Sequence, residues 1–285
     1  LDARRTMVTN SLGYATTYLG NENGLVTEKH DTRGGVTLTQ YNEFNDLLSH
    51  TNPLGQTTSY AYDGRGNPAM ITSATKAATQ LTFDNYDRCI KAIDSIGNTW
   101  QWVYDIAGNL ITRTDALGNS IVYQYTKGLL RSYTDARQHT TEFCYDESGN
   151  LQEERALESS AKFWLYDDWG RPRKLTNQQG SVQWREYDLL NRLIRVYEPD
   201  GNVRTFTYSA LDKITQATDR QRTIRFFYKG LGRLVRRVEA GVTFEFLHDT
   251  EEQLRAVMNE HGLTHRFMLD GEGSVTTEIG YDGLT

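Results

Sequence analysis

The amino-acid sequence predicts an all-β fold of antiparallel strands, and three observations support this prediction. An aromatic residue recurs every 20 or 21 residues, turn signals recur about every ten residues, and the segments between turns are rich in Thr, Val, Ile and aromatic residues. β-Branched and aromatic residues favour strands. Turns this close together join antiparallel neighbours, because parallel strands need long crossover connections.

The recurring aromatic residue, which we call the anchor, sets the domain organisation. We predict that residues 41–285 form twelve repeats of 20 or 21 residues, continuous with degenerate leading repeats in residues 1–40. His248 and Leu269 continue the series with the aromatic ring replaced. The aromatic anchors, which we predict to be structural, are Tyr41, Tyr62, Phe83, Tyr104, Tyr125, Tyr145, Tyr166, Tyr187, Tyr208 and Tyr228.

Each repeat carries two turn signals. In the repeat from 104 to 124 these are Asp105 with Gly108, and Asp115 with Gly118. Asp at the first position and Gly at the fourth is typical of a type I turn, since the Asp side chain can bond the backbone and Gly tolerates a positive φ. Elsewhere the Gly of the first turn is replaced, and we expect the replacing residues to adopt the left-handed region too. They are Asn45, Asp87, Asn191 and Asp212.

One face of the sheet is predicted to be aromatic. Residues two apart in a strand point the same way, so the residue two before each anchor shares its face. These residues are Tyr60, Trp102, Tyr123, Phe143, Trp164, Phe206, Phe226, Phe246 and Phe267. Six positions after the anchor lies an apolar residue, which we call the plug. The plugs are Leu47, Leu110, Leu151, Leu193, Ile214, Leu234 and Leu254, with Cys89 in the same slot.

Twelve repeats of two strands make a long strip of roughly 24 strands. Open twisted sheets rarely exceed about ten strands without curling. We therefore predict an antiparallel β-strip that spirals into part of a hollow shell, or cocoon; a flattened two-layer arrangement would also bury the aromatic face. We expect Tyr104→Ala or Leu110→Ala to cost about 2–5 kcal/mol by opening a cavity.

Composition excludes several function classes. The formal net charge of −6 disfavours broad nucleic-acid or anionic-membrane binding. No apolar stretch approaches the length of a membrane span. The two cysteines, Cys89 and Cys144, make neither a disulfide framework nor a zinc site.

No catalytic motif is visible, and we predict no catalytic residue, cofactor or metal. His248, His261 and His265 lie near one another, but the segment reads as strand and turn, with His248 replacing an anchor. Trp169 stands within a predicted turn, where an aromatic is less expected. Packing is the simpler interpretation of Trp169, and contact with a ligand such as a sugar is the alternative.

The repeat resembles the YD repeat of the Rhs superfamily over about residues 41–285. The segments that carry the resemblance are 104–110 (YDIAGNL), 145–151 (YDESGNL) and 166–171 (YDDWGR). Members of that superfamily include bacterial Rhs toxins, the B and C components of Tc toxins, and animal teneurins. In the bacterial toxins the repeats form a cocoon around a cytotoxic C-terminal domain.

The resemblance implies a structural shell segment of an Rhs-type polymorphic toxin, delivered by type VI secretion or in a Tc-like way. The implied partners are the enclosed toxin polypeptide, other shell segments and the secretion apparatus. The protein would be secreted or injected into a target cell, and its toxin activity would lie in a domain outside this chain. The alternative is a cell-surface adhesion or carbohydrate-binding module.

Overall fold

The computed structural model describes residues 4–156 and 159–285 of the chain, and these contain strands and turns but no helix. The chain folds as two compact units, Leu1–Thr140 and Thr141–Thr285. The strands of the first unit are β1 Arg5–Thr9, β2 Ala15–Gly20, β3 Val26–His30, β4 Val36–Tyr41, β5 Leu47–Thr51, β6 Thr57–Tyr62, β7 Pro68–Thr72, β8 Ala78–Phe83, β9 Cys89–Ile93, β10 Thr99–Tyr104, β11 Leu110–Thr114, β12 Ser120–Thr126 and β13 Leu129–Thr134.

The second unit continues the same alternation of short strands and tight turns. Its strands are β14 Thr140–Tyr145, β15 Leu151–Ala156, β16 Lys162–Tyr166, β17 Pro172–Thr176, β18 Val182–Tyr187, β19 Leu193–Tyr197, β20 Val203–Tyr208, β21 Ile214–Thr218, β22 Thr223–Lys229, β23 Arg233–Glu239, β24 Val242–His248, β25 Leu254–Met258, β26 Thr264–Leu269 and β27 Val275–Ile279. The predicted all-β antiparallel fold is thus confirmed.

Each unit is a single-layered antiparallel sheet. Within the described residues of each unit, every strand lies edge to edge only with the strands that precede and follow it in the chain. Strand β10, for example, pairs with β9 and β11, and β22 pairs with β21 and β23. Two packed layers would enclose the large side chains between them, and none of those in the described residues is fully enclosed, so a flattened two-layer arrangement inside either unit is wrong.

A single layer leaves almost no dry core. The buried apolar residues of the described chain are Ala92, Val196 and Ala256, and none of its large side chains is fully enclosed. The range of 2–5 kcal/mol expected for Tyr104→Ala or Leu110→Ala is that of residues in a closed core. Both residues are only half-buried, so we now expect a smaller cost.

The turns form as the sequence predicts. The amide of Gly108 donates to the carbonyl of Asp105 at 3.1 Å, and the amide of Asp105 donates to the carbonyl of Asn109 at 2.9 Å. The Asp105 carboxylate accepts the Asn109 amide at 2.9 Å. The predicted left-handed conformations are confirmed, with φ of 68° at Asn45, 60° at Asp87, 64° at Asn191 and 57° at Asp212.

A β-bulge, which sequence reasoning missed, follows the anchor in each repeat. In β10 and β11, Val103 pairs with Thr112 and Tyr104 pairs with Leu110, so Ile111 is left without a partner. The same shift occurs at Tyr62, Tyr187 and the other anchor strands. A bulge rotates the strand locally and strengthens its twist. Here it places the plug directly opposite the anchor.

Candidate functional site

The two faces of the sheet differ in exposure. In β10, Trp102 and Tyr104 are half-buried while Gln101 and Val103 are exposed. We call the side of the anchors the ladder face and the other side the opposite face. Trp100 also lies on the ladder face, whereas Trp184 lies on the opposite face with Nζ of Lys174 5.0 Å from its ring centroid.

The anchor hydroxyls connect successive repeats. Tyr208 pairs with Ile214 of its own hairpin, and its hydroxyl donates to the carbonyl of Leu193, the plug of the preceding repeat. Since a buried hydroxyl needs a partner, this bond lets the ring pack between repeats without an unsatisfied polar group. The hydroxyl–carbonyl pairs are Tyr41 with Val26 (3.2 Å), Tyr62 with Leu47 (2.8 Å), Tyr104 with Cys89 (3.2 Å), Tyr166 with Leu151 (2.8 Å), Tyr187 with Pro172 (2.8 Å), Tyr208 with Leu193 (2.6 Å) and Tyr228 with Ile214 (2.8 Å).

The residue five positions after the anchor is Asn or Arg in seven of the twelve repeats. Where it is Asn, its side chain closes its own turn; Asn109 Nδ2 donates to Asp105 Oδ2 at 2.8 Å, and Asn150 does the same to Asp146 at 2.9 Å. Where it is Arg, its guanidinium also reaches the next turn. Asn109 and Asn150 therefore stabilise one turn, whereas Arg ties two turns together; Asn67 also reaches the next turn, where it donates to Asp87.

Arg192 shows the bridging form in full. Its Nε and Nη2 both lie 2.7 Å from Oδ2 of Asp188. Its Nη1 donates to the carbonyl of Ser209 at 3.2 Å and to Oδ1 of Asp212 at 2.9 Å, and its guanidinium lies 4.9 Å from the ring centroid of Tyr208. Such charge-assisted bonds and cation–π contacts hold the turns in a fixed spacing.

The residues that replace Gly in the left-handed position have a second role. Asn191 and Asp212 accept a hydrogen bond from the Arg of the preceding repeat, and Asp87 accepts one from Asn67. Sequence reasoning found these residues by their backbone conformation alone. The missed signal is a donor, Arg or Asn, about twenty residues earlier.

These contacts shift the pKa of the turn carboxyls, and burial shifts that of the anchor hydroxyls. The Asn109 side chain lowers the pKa of the Asp105 carboxyl, and the Arg88 guanidinium lowers that of Asp84. Burial raises the pKa of the hydroxyls of Tyr208 and Tyr228. The shifts follow from hydrogen bonding and desolvation within the repeat.

Trp169 lies at the tip of its turn and is 70% exposed. The Arg171 guanidinium lies 4.5 Å from the centroid of its ring and 4.8 Å from that of Tyr187. The same arrangement occurs at Tyr86, where Arg88 lies between Tyr86 and Tyr104. The packing contact therefore covers part of Trp169 and leaves the rest of the ring accessible.

The three histidines do not converge. His248 Nδ1 contacts the carbonyl of Phe246 at 3.2 Å, and His265 Nε2 lies 2.6 Å from Oε1 of Glu278. His261 is an exposed turn residue. Within residues 4–156 and 159–285, no three His, Cys, Asp or Glu side chains group as metal ligands. No membrane-spanning helix is found in the same ranges.

Large apolar side chains remain exposed along the opposite face. Most stand one or three positions before an anchor, so they recur with the repeat. They are Leu38, Met70, Val103 and Val122 in the first unit, and Phe163, Leu165, Trp184, Phe227, Leu247 and Met268 in the second. A recurring apolar surface of this kind is typical of an interaction site rather than of scattered exposure.

Bulged hairpins joined by anchor hydroxyls and turn carboxylates define a YD-repeat sheet protein. The model of the teneurin YD-shell family matches residues 37–203, more than half of the chain, and an RHS repeat matches residues 187–224. The chain belongs to the teneurin YD-shell family.

Two curated relatives are similar to the chain. One is a probable deoxyribonuclease RhsB of Dickeya dadantii, 29% identical over 309 aligned residues that cover 98% of this chain and 20% of that protein. The other is double-stranded DNA deaminase toxin A of Burkholderia cenocepacia, 26% identical over 172 residues, 60% of this chain and 11% of that protein. The chain thus spans a fifth or less of these relatives.

Solved structures show the same fold. The Tc holotoxin pore of Photorhabdus luminescens superposes with a TM-score of 0.64 at 12% identity, over 93% of this chain and 18% of that one. A TcdB2–TccC3–Cdc42 crystal structure gives 0.63 at 13% identity, again over 93% and 18%.

Proposed function

We propose that the chain is a structural shell segment of an Rhs-type polymorphic toxin and that it encloses a cytotoxic polypeptide. The anchors hold successive repeats together, and the sheet itself carries no chemistry. The toxin activity lies in a C-terminal domain outside this chain. Other shell segments complete the enclosure, and a type VI or Tc-like apparatus delivers the assembly into a target cell.

The observation that carries this proposal is the exposed apolar surface of a single-layered sheet. Val103, Leu165 and Met268 are each about half exposed on the opposite face, where water would favour polar side chains. Their exposure means that no second layer within the described residues of either unit covers them. A polypeptide lying against this face removes that surface from water, which is favourable by about 25 cal/mol per Å².

The relatives support the same proposal. Two proteins that share the repeat are named as a DNA deaminase toxin and a probable deoxyribonuclease, and each is at least five times longer than the matched region. Different activities beside a shared repeat fit a scaffold with exchangeable toxins.

Photo-cross-linking tests the proposal on the complete natural polypeptide. A benzophenone amino acid replaces either Phe227, which is 37% exposed on the opposite face, or its neighbour Phe226, half-buried on the ladder face. The two sites are adjacent in sequence and point to opposite sides of one strand. We expect Phe227 to cross-link to the toxin domain, and Phe226 to cross-link within the sheet.

Mass spectrometry of the cross-linked peptides distinguishes the outcomes. Peptides of the toxin domain joined to position 227 support enclosure. Absence of toxin peptides at both positions, with efficient cross-linking inside the sheet, contradicts it.

A second function, carbohydrate binding at the cell surface, is favoured by the exposed ring of Trp169. The test is a glycan array with Trp169→Ala, and Tyr86→Ala is the matched control because Tyr86 is 71% exposed and also packs on an Arg. Binding that is lost only in Trp169→Ala would support this function. Binding unchanged in both variants would exclude Trp169 as the sugar contact.

A further inference from the structure

One turn of the second unit departs from the others in its charges. Lys229 follows the anchor Tyr228, at the position that Asp occupies in most repeats, and Arg233 stands five residues after the anchor. The hydrogen-bond pattern of the turn is kept, since the amide of Gly232 donates to the carbonyl of Lys229 at 3.3 Å and Lys229 pairs with Arg233. Its backbone differs in one respect, a positive φ of 57° at Gly230. A carboxylate is replaced by an ammonium group while the Arg remains.

The equivalent arginines show what Arg233 lacks. Arg171 Nε and Nη2 each lie 2.7 Å from Oδ2 of Asp167, and Arg88 binds Asp84 in the same way at 2.7 and 2.6 Å. Each guanidinium edge at this position is therefore occupied by a carboxylate. This planar contact is among the stronger pairings available to Arg.

Arg233 Nε is buried and makes no hydrogen bond to the described chain. Its ion pair is made by Nη1, with Oε1 of Glu252 at 3.4 Å, and that glutamate side chain is 69% exposed. A buried donor without a partner costs about 1–3 kcal/mol and calls for an explanation. The edge of the guanidinium that binds Asp in the other turns is unpaired here.

The surroundings are cationic and partly apolar. A cavity of about 560 Å³ is lined by Lys229, Arg233 and Arg236, with Phe227 and Leu247 beside them. Arg236 lies 4.0 Å from the ring centroid of Phe227. Glu245 is the acidic residue of the lining.

Two neighbours extend this surface. A Cβ added to Gly232 would collide with Lys213, so a further ammonium side chain lies against the turn. Leu231, at the tip of the turn, is 92% exposed. An incoming group would thus meet positive charge next to apolar surface.

We propose that this turn binds the carboxylate of an Asp or Glu side chain, flanked by apolar residues, on a partner polypeptide. The carboxylate binds the accessible part of the Arg233 guanidinium, whose side chain is 30% exposed, and Lys229 contributes a second positive charge. Apolar neighbours of the acid pack on Leu231 and Phe227. The site does not depend on whether that partner is the enclosed toxin.

Surface plasmon resonance on the immobilised chain tests the site. The probe is a twelve-residue peptide with one Glu between two Leu in a Ser/Gly background, compared with the same peptide carrying Gln. We expect the Glu peptide to bind at least tenfold more tightly than the Gln peptide. Inorganic phosphate serves as a competitor, to distinguish a carboxylate site from a general anion site.

Lys229→Asp is the decisive variant, because it restores the carboxylate of the other turns. We expect it to lower affinity for the Glu peptide at least tenfold and to raise the unfolding temperature, since Arg233 gains an internal partner. Lys76→Asp is the matched control, because it makes the same charge change in an exposed turn of the first unit. It should leave the affinity within twofold.

Three outcomes would overturn the proposal. The first is equal binding of the Glu and Gln peptides, and the second is unchanged affinity for the Glu peptide in Lys229→Asp. The third is displacement of the Glu peptide by inorganic phosphate at a phosphate concentration lower than the peptide concentration. A folded Lys229→Asp chain with a lowered unfolding temperature would also contradict it, since Arg233 would then not need the carboxylate.

Discussion

Replacing Tyr208 by Phe isolates the bond between successive repeats. The hydroxyl of Tyr208 donates to the carbonyl of Leu193 at 2.6 Å, while its ring pairs with Ile214 in its own hairpin. Phe keeps the ring and removes only the hydrogen bond. A hydrogen bond of this kind contributes about 0.5–1.5 kcal/mol. We expect a loss of about 1 kcal/mol, because the ring is half-buried and water reaches the freed carbonyl only in part.

Urea unfolding followed by tryptophan fluorescence measures this loss. With a denaturant slope of about 2 kcal/mol per molar urea, the midpoint should fall by about 0.5 M. The matched control is Tyr125→Phe, since the Tyr125 hydroxyl makes no side-chain hydrogen bond with the described chain. Its midpoint should stay within about 0.2 M of the original value by the same arithmetic. Equal losses in both variants, or none in Tyr208→Phe, would refute the reasoning.

Further predictions concern packing, backbone and pH. Leu110→Ala should lower the free energy of unfolding by about 1–2 kcal/mol, which is below the range for a filled core, because a single layer leaves no closed cavity. A loss above about 3 kcal/mol in urea unfolding would contradict this and indicate that Leu110 is covered by another layer. Gly118→Ala should cost about 1 kcal/mol through its φ of +83° alone, since an added Cβ meets nothing within 4 Å. Gly64→Ala, which also meets nothing but has no positive φ, should be neutral or slightly stabilising, and a similar loss in both would exclude the conformational explanation. The lowered pKa of Asp105 gives stability that is present above its ordinary value of 3.8 and is lost as the pH falls through the lower folded value. The raised pKa of the Tyr228 hydroxyl gives stability that is lost as the pH rises above 10.0. The urea midpoint should therefore decline at both low and high pH. A midpoint that stays constant from about pH 2 to about pH 12 would contradict both shifts.

The sequence predicts most of the repeat because its signals are local. Asp105 and Gly108 predict their turn through side-chain chemistry and a positive φ, and both lie within one turn. The alternation of Trp102 and Tyr104 predicts a shared face from strand geometry alone. The left-handed conformations of Asn45 and Asp212 follow from the same local rules.

Contacts between repeats are the part that sequence reasoning missed. The bulge at Ile111 depends on how two strands pair, and no residue type marks it. The bridge from Arg192 to Asp212 spans twenty residues and becomes visible only once adjacent turns are known to lie side by side. Pro68 and Pro172 occupy the plug position opposite Tyr62 and Tyr166, although neither was assigned to it.

The unpaired Nε of Arg233 could have been predicted in part from the sequence. Lys229 breaks the Asp pattern of the anchor turns, and the break is readable once the repeat is aligned to itself. The sequence does not show that Lys229 deprives Arg233 of a partner. That consequence follows only from the bond that the equivalent Arg192 makes to Asp188. A departure from a repeat becomes informative when the contact it removes is known.

A density map of the complete natural polypeptide tests the account most directly. The account predicts that each unit is one layer, with density of a separate polypeptide against its opposite face, which bears Val103 in the first unit and Phe227 in the second. A second sheet of the same chain packed over that face would contradict it, because the apolar side chains would then belong to an ordinary filled core.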